Sequence, residues 1–107
     1  MEHATGNGVS GMLAKLKGEV DLLGRHLQVL SSVVEHEPIG IMKLSLLLDL
    51  PYHRIRYSLR ILEQLGYIRA SPSGAVATPK AQVLLGRVDR ELDDLIRQIQ
   101  ALKKDRR

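Results

Sequence analysis

From residue 13 onward the apolar positions Leu13, Leu16, Val20, Leu23, Leu27, Leu30 and Val34 follow one another in alternating steps of three and four. That repeat predicts a long helix carrying a coiled-coil-like seam. Gly18 and Gly24 lie inside it, each costing about 1 kcal/mol relative to alanine, so the helix has room to break or bend near either. Residues 24–37 then form the first helix of a globular unit, and residues 12–23 a helical extension. Pro38 disfavours helical geometry in the residue before it and ends the segment there.

Residues 38–40 read as a connector, and residues 41–49 as a short helix with Ile41, Leu44 and Leu48 on its inner face. Of its neighbours Leu46 and Leu47, one is expected to face outward. A third helix, 51–65, starts at Pro51 and stops at Gly66, with Ile55, Leu59 and Leu62 on one stripe. Ser71-Pro72-Ser73-Gly74 fits a type I turn, so residues 67–70 and 75–78 are expected to pair as a β-hairpin. Thr78 suits an N-cap and Pro79 the first position of a last helix over 79–104. Its apolar residues Ala81, Leu85, Val88, Leu92, Leu95, Ile99 and Leu102 again step by four and three, which favours pairing with another helix. All four prolines, at 38, 51, 72 and 79, fall at these boundaries. The expected fold class is mainly α with a small β-hairpin and a long C-terminal coiled-coil helix.

Charge adds one feature to this outline. The outer face of the third helix holds His53, Arg56, Tyr57, Arg60 and Gln64. Arginine neutralises phosphates and reaches guanine edges, so this is a candidate recognition helix for a duplex. The plainer alternative is an amphipathic helix with a solvated arginine face. The net charge of +4 decides little between them, because four basic residues and one acidic residue at 103–107 supply +3 of it. The only aromatic residues are Tyr52, Tyr57 and Tyr67, too few for a base-stacking platform that would bind single strands.

The residues Pro38-Ile39-Gly40-Ile41, Leu44, Leu50-Pro51, Ile55-Arg56-Tyr57-Ser58-Leu59-Arg60, Leu65-Gly66-Tyr67-Ile68 and Thr78-Pro79-Lys80 stand in the order helix, helix, turn, helix, hairpin, long helix. Over about residues 24–104 this arrangement resembles the winged-helix superfamily of transcriptional regulators. The likeness is strongest to small archaeal winged-helix proteins that dimerise through a C-terminal coiled coil, with the MarR and PadR families more distant. The resemblance implies a winged helix-turn-helix at 24–78, a dimerisation helix at 79–104, and a homodimer whose third helix enters the major groove of double-stranded DNA. The residues it places on DNA are His53, Arg56, Tyr57 and Arg60, with Tyr52 and Arg54 at the helix edges and Arg69 and Lys80 toward the backbone. The dimer seam is Leu85, Val88, Leu92, Leu95, Ile99 and Leu102. One departure is visible: wings commonly carry basic residues at the tip, whereas this tip is Ser71-Pro72-Ser73-Gly74, which argues against deep insertion into the minor groove.

Other chemistries find little footing. Gly6-Asn7-Gly8-Val9-Ser10-Gly11 spells a dinucleotide-binding motif, but the five residues before it cannot supply the strand that motif needs, and residues 1–11 are expected as a loose terminus. His3, His26, His36 and His53 have no helical-spaced partner among themselves, so no metal site is expected and solvated imidazole is the default. His36, between Glu35 and Glu37, suits a helix-end interaction. No cysteine, nucleophile elbow or phosphate-binding loop is present, so an enzyme and a cofactor are not expected, and no effector is named. The absence of cysteine, of an apolar run near 20 residues and of a secretory signal points to a cytoplasmic protein with no membrane contact. Two rival readings remain: a winged-helix protein-interaction module without DNA binding, and a monomer whose two seams pair with each other.

Overall fold

The computed structural model describes residues 8–104. The expected basic tail at 105–107, and the expected loose terminus before Gly8, lie outside the described residues. The chain folds as α1 (Gly8–His36), α2 (Ile41–Leu48), α3 (Tyr52–Gln64), β1 (Ile68–Ser71), β2 (Gly74–Ala77) and α4 (Pro79–Lys104). It is mainly α, with one two-stranded antiparallel hairpin and a long C-terminal helix.

Two expectations about the N-terminal part are corrected. Residues 8–11 belong to α1 rather than to a loose terminus, and α1 passes Gly18 and Gly24 without a break. A Cβ at either glycine would meet nothing within 4 Å, so no close packing requires glycine there. The propensity cost of the two residues is smaller than what a helix of 29 residues gains from propagation and from its anchored C-terminal end.

The core forms where that end meets the other elements. Val29, Leu30 and Val33 of α1 pack with Ile39, Leu44 of α2, Ile55 and Leu62 of α3, Ile68 of β1 and Ala81 of α4, all buried. Full burial is worth roughly 1.5–3 kcal/mol for each of the larger aliphatic side chains. Ile41, Leu48 and Leu59 pack against this cluster as their periodicity predicts. Leu46 and Leu47 are both exposed, at 83% and 50%, where only one was expected to be.

Short-range chemistry sets each junction. Asp49 ends α2 in the left-handed conformation at φ 53°, a geometry aspartate tolerates better than most residues, and its N–H donates to the Ser45 carbonyl. After Leu50, the Pro51 carbonyl accepts from Arg54 and Ile55 N–H at 3.1 and 3.2 Å and starts α3. At the far end Gly66 takes φ 85°, its N–H donating to the Glu63 carbonyl while Tyr67 N–H donates to that of Leu62. That paired pattern is the Schellman stop for which glycine is favoured.

The supposed connector before α2 is a strand fragment. Ile39 N–H donates to the Ala75 carbonyl at 3.1 Å, and Ala75 N–H returns a bond to the Ile39 carbonyl at 2.8 Å. β2 therefore pairs on both edges, with β1 along its length and with Ile39 at one point. The Ser71–Gly74 turn forms where expected, and Gly74 has two reasons to be glycine. Its φ is 129°, and a Cβ would come within 2.5 Å of the Ile39 carbonyl carbon. Glu37 fixes the same corner by accepting from Ala77 N–H at 2.7 Å. Thr78 stands just before α4 as expected, its carbonyl accepting from Ala81 N–H at 3.0 Å, while its hydroxyl donates to the Gly66 carbonyl at 2.6 Å and ties the hairpin to the end of α3.

The molecule is elongated, at 55 × 29 × 22 Å with a radius of gyration of 17.1 Å. A compact chain of this length would have about 13 Å. The excess comes from the N-terminal half of α1 and the C-terminal half of α4, whose seam residues Leu13, Leu16, Val20, Leu95, Ile99 and Leu102 are exposed.

Gly74→Ala is expected to lower stability by at least about 2 kcal/mol, since backbone strain and a backbone clash coincide there. Gly86→Ala, in open space on α4, is expected to raise stability or leave it unchanged, by no more than about 1 kcal/mol. Urea denaturation of both variants checks the pair.

Candidate nucleic-acid interface

The outward side of α3 is set by what its other side buries. Ile55 and Ser58 are fully buried and Leu62 nearly so, which turns His53, Arg56, Tyr57, Arg60 and Gln64 outward as the helical period requires. The candidate residues then fall into separate groups.

Arg56 and Arg60 line a concave surface of about 400 Å³ between α3 and the hairpin, together with Ile41, Ala70, Ser71 and Glu63. Glu63 was not foreseen there, and its carboxylate opposes the arginine charge at one end of the concavity. His53 and Arg54 line a second surface, facing Asp21, Arg25 and Gln28 of α1. Arg25 is a cation on that side which the sequence pattern did not single out, and its buried Nε has no partner among the described residues. Tyr52 stands exposed at the start of α3. Tyr57 is part-covered because its ring lies against His26 of α1, with centroids 5.9 Å apart.

Arg69 is exposed on β1, opposite Val76. Lys80 occupies a structural position: its ammonium donates to the Leu65 carbonyl at 2.7 Å and sits 5.2 Å from the centre of the Tyr67 ring. A cation at this helix end is favoured by the helix dipole and by the aromatic face.

Part of the arginine charge is paired within α4, where Arg90 alone of its three arginines has no ion pair among the described residues. On α4, Arg87 pairs with Glu91 at 3.1 Å and Arg97 with Asp94, both within the helix. Among the described residues Arg54, Arg56, Arg60 and Arg69 form no ion pair. His36 pairs with Glu35 at 3.8 Å at the end of α1, the helix-end contact its position suggested. No group of three or more metal-ligating side chains occurs among the described residues, and none of their helices is long and apolar enough to cross a membrane.

The solvated histidine expected at position 26 is corrected by the structure. His26 is part-buried, and its Nδ1 is 2.8 Å from the Ser58 hydroxyl, which has no solvent exposure. A buried hydroxyl needs such a partner, and His26 supplies it from a different helix. No sequence signal links the two, since they are 32 positions apart.

Comparison with models of known protein families gives no match, and comparison with curated proteins gives no relative of significant similarity.

Burial, and secondarily the Arg25 guanidinium, hold the His26 pKa below its ordinary value of 6.5. The folded protein therefore binds a proton at this site less readily than the unfolded chain. The associated stability is fully present above about pH 6.5 and is lost as pH falls below it. His26→Gln should remove that component, so wild-type and variant denaturation midpoints measured from pH 7.5 down to pH 5 should converge. Parallel curves would show that His26 does not contribute.

Proposed function

We propose that this protein is a winged-helix, double-stranded-DNA-binding homodimer, a transcriptional regulator of the cytoplasm, with α3 entering the major groove. The observation that carries the reading is the pair Arg56 and Arg60: two unpaired cations one helical turn apart, lining the concavity between α3 and the hairpin. Arginines in such a place can neutralise phosphates or reach guanine edges. Tyr52, His53 and Tyr57 would add hydrogen bonds and contact area, while Arg54 and Arg69 would hold the backbone. Lys80 contributes charge at the periphery while it remains bonded to Leu65. In a dimer that reads one face of the duplex, the two α3 helices would stand about 34 Å apart or a multiple of that.

A protein-interaction module without DNA binding is the second reading, and a separate observation favours it. Met42, Leu46 and Leu47 project from α2 with half or more of their surface exposed, and clustered apolar exposure is a mark of protein contact.

Fluorescence anisotropy of a labelled random-sequence duplex, titrated at several salt concentrations, separates the two. DNA binding should show a linear log–log loss of affinity with salt. Arg56→Ala combined with Arg60→Ala should lower affinity roughly 10- to 100-fold and reduce the salt slope by about 2. Absence of duplex binding at low salt, or an unchanged slope in the double variant, would overturn the assignment of α3.

A further inference from the structure

Two parts of the chain display apolar faces that nothing among the described residues covers. Val9, Met12, Leu13, Leu16, Val20 and Leu23 stand 39–70% exposed on α1, and Leu95, Ile96, Ile99 and Leu102 stand 40–60% exposed on α4. Where these arms leave the core they run side by side. Leu23 and Leu27 of α1 and Val88, Leu92 and Leu95 of α4 line one groove of about 570 Å³. Farther from the core, Leu13, Leu16 and Val20 of α1 and Leu95, Ile99 and Leu102 of α4 remain 40–60% exposed, so the arms do not cover each other's seams.

The width of the apolar faces shows how many neighbours they fit. Beside its seam α1 also presents Val9 and Met12, and α4 presents Ile96. Each face then spans about 100° or more, the width of a bundle helix that touches two neighbours rather than the narrower seam of a two-stranded coil. Within the chain each arm has at most one neighbour. The missing ones must be helical, apolar and of matching length, which a second copy of these two arms provides. Ten large apolar side chains on the two arms stand 39–70% exposed, an apolar core for an interface of the standard size of roughly 800 Å² per partner.

We propose that the N-terminal half of α1 forms one half of a homodimer interface, packing with the outer half of α4 against the same two arms of a second copy as a four-helix bundle. This rests on the homodimer in the function proposed above, and it adds α1 to an interface otherwise assigned to α4 alone. The groove between the arms is then the entry for the partner's apolar side chains.

Sedimentation equilibrium at micromolar concentration tests it. Wild-type protein should have twice the chain mass. Leu16→Asp combined with Val20→Asp should give the single-chain mass while keeping a cooperative melt by circular dichroism, since neither residue belongs to the core. The milder Leu16→Ala with Val20→Ala should preserve the helix and weaken the dimer at least about tenfold. If both α1 variants stay dimeric as tightly as wild type while Leu95→Asp with Ile99→Asp dissociates, the interface is α4 alone: this proposal fails and the homodimer stands. A wild-type protein of single-chain mass overturns both.

Discussion

Ile55, Ser58 and Leu62 hold α3 against α1, and the placement of everything functional follows from that contact. These residues fix the rotation of α3 about its axis, and the rotation decides which side chains meet solvent. Ser58 is the most specific of the three. A buried hydroxyl without a partner costs about 1–3 kcal/mol, so α3 is best seated where Ser58 reaches His26. Rotating α3 by one residue would bury Arg56 or Arg54 in place of Ile55, which no local partner would neutralise.

Backbone and polar contacts join the buried Ile68 in placing the hairpin. Ile39 pairs with Ala75 on one side of β2, Glu37 accepts from Ala77, and Thr78 donates to Gly66. Lys80 joins the start of α4 to the last carbonyls of α3. These contacts lie at the three corners where the chain changes direction. They close the concavity beside Arg56 and Arg60, because one wall is α3 and the other is Ser71–Gly74 held against Ile39.

Elements with a strong period and clear punctuation were legible in the sequence. The last helix, 79–104, appears with its expected bounds, and α2, α3 and the hairpin lie within a residue or so of theirs. The stop at Gly66 was legible because only one backbone geometry closes that helix and glycine adopts it. What was not legible depends on partners distant in sequence. Val29 and Val33 are buried although they lie off the three-four seam, since α1 is flanked in the core by α2, α3 and β2 and its buried face broadens. Ile39 looked like connector because a single bridging residue has no period of its own. The helix through Gly18 and Gly24 was misjudged because propensity was weighed locally, whereas helix formation is cooperative over the whole segment. At the candidate interface the outward set on α3 was legible from period alone. The partition of that set between two surfaces, the intrusion of Glu63 and the engagement of Lys80 needed the neighbouring elements.

His26 belongs to two regions at once. It is bonded to Ser58 on α3, and it forms part of the wall of the groove between the long arms, beside Leu27, Leu62 and Leu92. A displacement of α1 that separated His26 from Ser58 would leave a buried hydroxyl without its partner. The continuity of α1 places its exposed N-terminal half and the histidine that bonds Ser58 on one unbroken helix.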